Sequence, residues 1–270
     1  MNEQMTEAAF SRQSRVFDDI YAGNTIVHYK RERVRKHLMQ FLRARSSILE
    51  LNSGTGEDAL FFARQGHRVH ATDLSVGMQE RLKDKAKAHE LTNRISTELR
   101  SFTDLENLDQ RGPYDHIFSN FAGLNCTSNL EDVIHTLPAL LKPEGTITLV
   151  ILPPFCLWES LLLLKGKFRT ATRRWFSQFS RKGRKARVEG LPFRCWYYAP
   201  SVVEKALGDE WETVGLESLC SFVPPSYIEG FAEKHPSMYA FLKKTEEKYG
   251  RRWPWKYMGD YYIISLCRKK

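Results

Sequence analysis

Apolar and polar positions change period repeatedly along this chain, and each change marks an element. Residues 47–51 form a short apolar run that stops at Asn52-Ser53-Gly54-Thr55-Gly56, and over residues 57–65 the apolar positions recur at helical spacing. A second strand follows at 68–73, then a helix over 76–90 entered through Ser75, a residue type that satisfies the free N–H groups of a helix start. The same reading gives strands at 95–100, 114–120 and 146–152, with a helix over 130–141 stopped by Lys142-Pro143-Glu144-Gly145. Later come a helix at 201–207 and strands at 211–222 and 261–268. Strands alternating with helices in this way predict an α/β, doubly wound, mostly parallel sheet.

Residues before the first strand show helical spacing in two pieces. Phe10, Val16, Phe17 and Ile20 mark the first; Ile26, Tyr29, Val34 and Leu38 mark the second, with a break at Tyr21-Ala22-Gly23-Asn24. The pattern divides the chain into an N-terminal helical lid (1–45), a Rossmann-like core (46–152), a cap insertion (153–195), a core continuation (196–222), a second cap insertion (223–259) and a final core strand (260–270). Both insertions leave from strand ends on one side of the sheet, where ligands bind in open α/β folds.

The turn between the first strand and helix carries the first chemical signal. Gly54 and Gly56 permit left-handed backbone and close approach of a ligand, and Ala59 permits tight helix packing. Gly54-x-Gly56-x-x-Ala59 also fits a dinucleotide fingerprint, so a NAD-dependent oxidoreductase is one reading. Glu50, Glu57 and Asp58 crowd the helix start, however, and would repel a pyrophosphate. S-adenosyl-L-methionine has a cationic sulfonium and amino-acid tail in place of phosphates, and acids there favour it.

These residues resemble the class I S-adenosylmethionine-dependent methyltransferases, whose first motif is E/D-x-G-x-G-x-G. The chain has Glu50-Leu51-Asn52-Ser53-Gly54-Thr55-Gly56, with Asn52 in place of the first glycine. Asparagine is the non-glycine residue that best tolerates left-handed angles. Asp73, in Ala-Thr-Asp-Leu-Ser-Val-Gly-Met, is similar to the family's ribose-binding acid. The resemblance implies a seven-stranded sheet with its last strand antiparallel and a small-molecule branch of the family. It implies cofactor contacts from Glu50, Asn52, Ser53, Gly54, Gly56, Asp73, Leu74, Met78, Phe102 and Asn120. Ser101 falls where the family usually has an adenine-binding acid. Lid helices in such enzymes often bring an aromatic near the sulfonium, which makes Tyr21 and Tyr29 candidates, although interhelical packing is an equal reading of both.

The charge is localised. The chain holds 41 Lys and Arg against 32 Asp and Glu, yet residues 165–187 are rich in Lys and Arg and contain no acid, so the remainder is close to neutral. Phe168, Trp175, Phe176 and Phe179 are interleaved with those charges. Such a segment suits peripheral contact with an anionic membrane, an acidic and partly apolar substrate, or simple solvation. Nucleic acid is a rival, as for an RNA methyltransferase, but no recognisable RNA-binding module accompanies the segment. The second insertion is aromatic, with Phe231, Tyr239, Phe241, Tyr249, Trp253, Trp255 and Tyr257 suggesting an apolar pocket.

Five scattered cysteines without a C-x-x-C pair suggest reduced thiols, a cytoplasmic setting and no structural zinc or other metal. No run approaches the ~20 apolar residues that span a bilayer. The expected activity is methyl transfer from S-adenosylmethionine to a small apolar or aromatic acceptor, with an anionic or lipid-like one included. Asn125, Tyr197 and Tyr198 are candidates to act on the acceptor. A catalytically silent cofactor-binding module is the further alternative.

Overall fold

The computed structural model describes residues 2–175, 177, 182–228 and 230–269. Three N-terminal helices, α1 (Asn2–Gln13), α2 (Phe17–Ala22) and α3 (Thr25–Leu38), precede β1 (Ser47–Leu51). The core then runs α4 (Glu57–Arg64), β2 (Arg68–Asp73), α5 (Val76–Ala88), β3 (Ile95–Leu99), β4 (Tyr114–Ser119), α6 (Leu130–Thr136) and β5 (Leu141–Ile151). Beyond it lie the short helices α7 (Leu157–Ser160) and α8 (Phe168–Ala171), the strands β6 (Arg184–Val188) and β7 (Leu191–Cys195), and α9 (Pro200–Leu207). The chain closes with β8 (Trp211–Leu219), α10 (Phe231–Lys234), α11 (Pro236–Tyr249) and β9 (Tyr261–Arg268).

Seven strands form one sheet in the order β3-β2-β1-β4-β5-β9-β8. β1 to β5 pair in parallel, whereas β9 is antiparallel to both of its neighbours. The order reverses at β1, so the crevice beyond the C-terminal ends of β1 and β4 is the topological switch point where ligands bind. Strands covered on both faces are apolar throughout. Ile48, Leu49, Ile117, Phe118, Ile147, Leu149, Ile263 and Ile264 are all buried, and each stabilises the fold by roughly 1.5–3 kcal/mol.

Local sequence sets the helix starts. Asn24 accepts hydrogen bonds from the N–H groups of Ile26 and Val27 (3.1 and 3.0 Å), and Ser75 Oγ accepts from Met78 N–H (3.2 Å). Both caps aim α3 and α5 at the switch point. α3 is locked to the sheet from the other side, because Glu217 of β8 accepts from Arg33 and bonds His37.

Besides small shifts at element ends, such as β8 stopping at Leu219, the structure departs from the sequence reading around β5 and in the first insertion. The helix expected over 130–141 ends at Thr136 and tightens to a 3₁₀ turn, Leu137–Leu140. β5 then begins at Leu141, and the register slips between Tyr114↔Leu141 and His116↔Thr146, so residues 142–145 bulge from the strand instead of forming a separate turn. The first insertion, left without elements by the sequence reading, holds strands besides the short helices α7 and α8: β6 and β7 form a two-stranded antiparallel ribbon, packed by Phe193 against Phe10 of α1 with ring centroids 5.8 Å apart. Phe176 and Phe179 lie outside the described residues. Among the described residues no helix is long and apolar enough to cross a membrane.

Candidate functional site: a cleft between the lid and the β1 and β4 loops

A cavity of about 340 Å³ opens at the switch point. Its floor is Glu50, Asn52, Ser53 and Gly54 from the β1 turn, with Asp73, Leu74 and Met78 from the end of β2 and the start of α5. Phe102 and Asn120 close it from the β3 and β4 loops, and the lid contributes Glu3, Phe10, Gln13, Phe17 and Tyr21.

The turn is held by the acid that follows it. Asp73 accepts hydrogen bonds from Gly54 N–H (2.9 Å) and Ser75 N–H (2.8 Å), which tie β1, β2 and α5 together. Burial raises the Asp73 pKa above the ordinary carboxylate value, against the lowering effect of those N–H groups. Gly54 has φ +57°, and nothing lies where its β-carbon would be, so its backbone is bare towards the cavity. Gly56 serves packing instead: a β-carbon there would lie 2.0 Å from Leu82 Cδ1 of α5.

Asn52 adopts φ 48°, the left-handed angle expected at this position. Its amide donates to Asn120 O (2.9 Å) and accepts from Ser119 Oγ (2.6 Å), bridging the β1 and β4 loops. Beyond Asn120, Phe121 and Ala122 are left-handed as well, with φ 46° and 64°. For a bulky residue such as Phe121 this is strained backbone, held where it faces the cavity.

Two acids divide the charge. Asp58 is buried yet kept below its ordinary pKa: burial alone would raise it, but Arg31, Arg35 and the Asn120 amide overcome that. Glu50 lacks these direct hydrogen bonds, and the same two arginines only partly offset its burial. Burial, and then the neighbouring Asp58, push it well above its ordinary value, and its Oε2 is buried without a hydrogen bond. An orphaned carboxylate oxygen on the wall of a cavity fits a cationic ligand group and disfavours a phosphate.

The remaining candidates fall elsewhere. Ser101 is off the cavity wall; its hydroxyl donates to Glu3 Oε1 (2.7 Å), so the carboxylate beside the β3 loop comes from the lid. Tyr29 is buried away from the cavity in an edge contact with Tyr239, because α3 turns that face towards α11. Of the two lid tyrosines, only Tyr21 reaches the site. Asn125, Tyr197 and Tyr198 are not on the wall either. Asn125 accepts from Leu152 N–H (2.9 Å) and donates to Trp196 O (2.6 Å), clamping β5 to the segment after β7. Tyr198 donates to Thr127 O (2.5 Å), and Tyr197 lies buried under Arg174. All three are structural in this arrangement.

Sequence reasoning missed the wall of the cavity that α3 and β9 supply. Lys30 is buried there with Nζ 4.7 Å from the Tyr261 ring centroid and 5.5 Å from that of Phe121, and it donates to Ser226 Oγ (3.0 Å). Nothing distinguishes Lys30 in a helix as basic as α3, and Tyr261 is brought in by a strand far along the chain. A second buried group, Cys156, Glu159 and Asp260, has its potential metal-ligating atoms within 4.8 Å of one another. The Arg174 guanidinium already supplies the cation, donating to Glu159 (2.9 Å) and Asp260 (2.7 Å).

Residues 48–145 match the family model described as a methyltransferase domain. That match covers the β1-to-β5 part of the core, so this stretch is similar to methyltransferase domains. Solved structures agree on the methyltransferase fold. The [4+2]-cyclase SpnF superposes with a TM-score of 0.62 at 15% identity, over 100% of this chain and 97% of that one. The 1,6-didemethyltoxoflavin-N1-methyltransferase of Burkholderia thailandensis, solved with its substrate and S-adenosylhomocysteine, gives 0.56 at 15% identity, covering 99% and 88%. The geranyl diphosphate C-methyltransferase of Streptomyces coelicolor A3(2), solved with Mg2+, geranyl diphosphate and S-adenosylhomocysteine, gives 0.57 at 12% identity, covering 90% and 81%. No curated protein matches the chain.

Proposed function

We propose that the protein transfers a methyl group from S-adenosylmethionine to a small apolar or aromatic acceptor that carries negative charge. The observation behind this reading is the make-up of one cavity wall: carboxylates from the β1 and β2 turns, and from α3 a buried ammonium near two aromatic rings. Asp73 would hold the ribose hydroxyls, Phe102 and Leu74 the adenine, and Glu50 with the bare backbone at Gly54 the cationic amino-acid tail. When bound, the cofactor supplies a methyl group already activated on a sulfonium.

The chain's own residues then have three tasks. Phe121 and Tyr261 present flat apolar faces that orient an acceptor, and alignment of this kind is worth several kcal/mol of barrier. Lys30 pairs with an anionic group; its nearest carboxylate, Asp260, stands 4.0 Å away, so the ammonium is incompletely neutralised. Phe10, Phe17 and Tyr21 of the lid cover the cleft and exclude water. No wall residue is assigned as a base, and positioning carries the rate.

Calorimetric titration with S-adenosylhomocysteine, with NADH beside it, tests the cofactor. Micromolar binding of the first, none of the second, and loss of binding in Asp73→Ala are expected. Undiminished affinity in a folded Asp73→Ala protein would sink the assignment.

A further inference from the structure

The basic segment divides into an inward and an outward half. Arg174 is buried on Glu159 and Asp260, and Arg173 also pairs with Glu159, so these two arginines are engaged in holding the insertion down. Trp175 is tucked in as well, donating to Ser160 Oγ (3.1 Å) and stacked on Phe155 with centroids 6.4 Å apart. Outside are Lys182, Arg184, Lys185 and Arg187 at and along β6, and, ahead of the two arginines in the chain, a short tongue. Leu164 is 85% exposed, Phe168 67% and Leu161 42%. Lys165, Lys167 and Arg169 are exposed between and beside them. Gly166, left-handed at φ +68°, turns the chain at the tip. Glu159 is the sole carboxylate from residue 157 to 188, and it is buried under two arginines, so the tongue presents cations and hydrocarbon without an acid.

We propose that this tongue docks the protein on an anionic lipid bilayer. Leu161, Leu164 and Phe168 enter the headgroup region, and Lys165, Lys167 and Arg169 sit among the lipid phosphates. Exposing three large apolar side chains at one tip is unfavourable in water and favourable at an interface, where flanking Lys and Arg extend to the headgroups. Two leucines give no stacking surface for bases, and the indole of Trp175, the natural stacking group, is turned inward, so lipid fits the tip better than single-stranded nucleic acid does. The same insertion supplies Val188 to the cavity wall, while its anchor, Asp260, adjoins Tyr261. Bilayer contact and acceptor site are therefore linked through the Arg174–Asp260 anchor beside Tyr261, an arrangement suited to an acceptor drawn from the membrane.

Co-sedimentation of the full chain, loaded with S-adenosylhomocysteine, tests this with vesicles of phosphatidylcholine alone and of phosphatidylcholine with 30% phosphatidylglycerol. Binding to the anionic vesicles is expected, falling at least tenfold between 0.1 and 0.5 M salt. Leu164→Asp/Phe168→Asp and Lys165→Gln/Lys167→Gln/Arg169→Gln should each lower it at least tenfold. Thermal midpoint and S-adenosylhomocysteine affinity should hold in both variants, since every altered side chain is exposed. Absence of wild-type binding to anionic vesicles at low salt overturns the proposal, as does binding indifferent to both variants. Tight, tongue-dependent binding of a uridine 20-mer without vesicle binding would assign the tongue to nucleic acid instead. Failure here with cofactor binding intact leaves the methyl-transfer reading standing.

Discussion

The Asn52 side chain occupies the space that a β-carbon on Gly123 would need: its Cγ lies 2.2 Å from that position. The asparagine that replaces a family glycine in the β1 turn is thus matched by a glycine in the β4 loop, and the pair shares one volume. Gly123→Ala should cost roughly 1–3 kcal/mol by overpacking. Asn52→Gly should cost about 1 kcal/mol through two lost hydrogen bonds. The double variant should be more stable than the sum of the two predicts, by about 1 kcal/mol in a urea-unfolding cycle. Strict additivity would show that the two residues do not share the space.

Glu50 makes cofactor binding pH-dependent. Burial and Asp58 hold its carboxyl towards the neutral form, whereas a bound ammonium favours the carboxylate. S-adenosylhomocysteine should therefore bind more tightly as pH rises through the Glu50 titration, with proton release on binding. Calorimetry in buffers of different ionisation enthalpy measures that release directly. Glu50→Gln should abolish it and leave affinity level with pH.

Glu3 gives the lid a specific attachment. Its carboxylate accepts from Ser101 and Thr103, residues of the β3 loop that faces the cavity. Glu3→Ala should weaken S-adenosylhomocysteine binding roughly tenfold, or about 1.4 kcal/mol, and should speed amide exchange in α1 and α2. Since Glu3 lies outside the sheet, the unfolding midpoint should stay within about 1 °C. A large fall in the midpoint with unchanged affinity would make Glu3 a fold residue.

Glu217 sets an acid limit on stability. Although buried, it bonds His37 and Arg33, and its pKa is held down at about 2. A depressed carboxylate stabilises the fold above its unfolded pKa, and the contribution is lost as pH falls from about 4.5 towards 2. The loss approaches roughly 3 kcal/mol at full titration. Urea midpoints at pH 7, 5, 4 and 3 should show it, and Glu217→Gln should be less stable at pH 7 but flatter below pH 5.

The sheet was legible because its strands are buried on both faces and its turns carry strong punctuation. Asp73 and Glu50 were legible for the same reason: they stand at strand ends next to glycines, where periodicity breaks. Lys30 and Tyr261 were not, because strand insertion and helix packing bring them to the site from opposite ends of the chain. Tyr29 stayed open between two readings because a tyrosine at helical spacing fits a lid or a core equally well, and the position of α11 decides for packing. The ribbon of β6 and β7 escaped because Arg184-Lys185-Ala186-Arg187 reads as a solvated charge run, and its pairing with β7 is set by neither charge nor period.

The position of β9 carries a consequence for how the molecule is made. It follows every other strand in the chain, yet it lies between β5 and β8. Until residues 261–268 have emerged, β5 presents a bare edge, β8 has no neighbour, and the bare edge is open to pairing with other chains. Tyr261 reaches the cleft with the same strand, and Asp260 meets Lys30 and Arg174 there. A growing chain therefore has neither a closed sheet nor a finished acceptor site, and both are completed together by one late insertion.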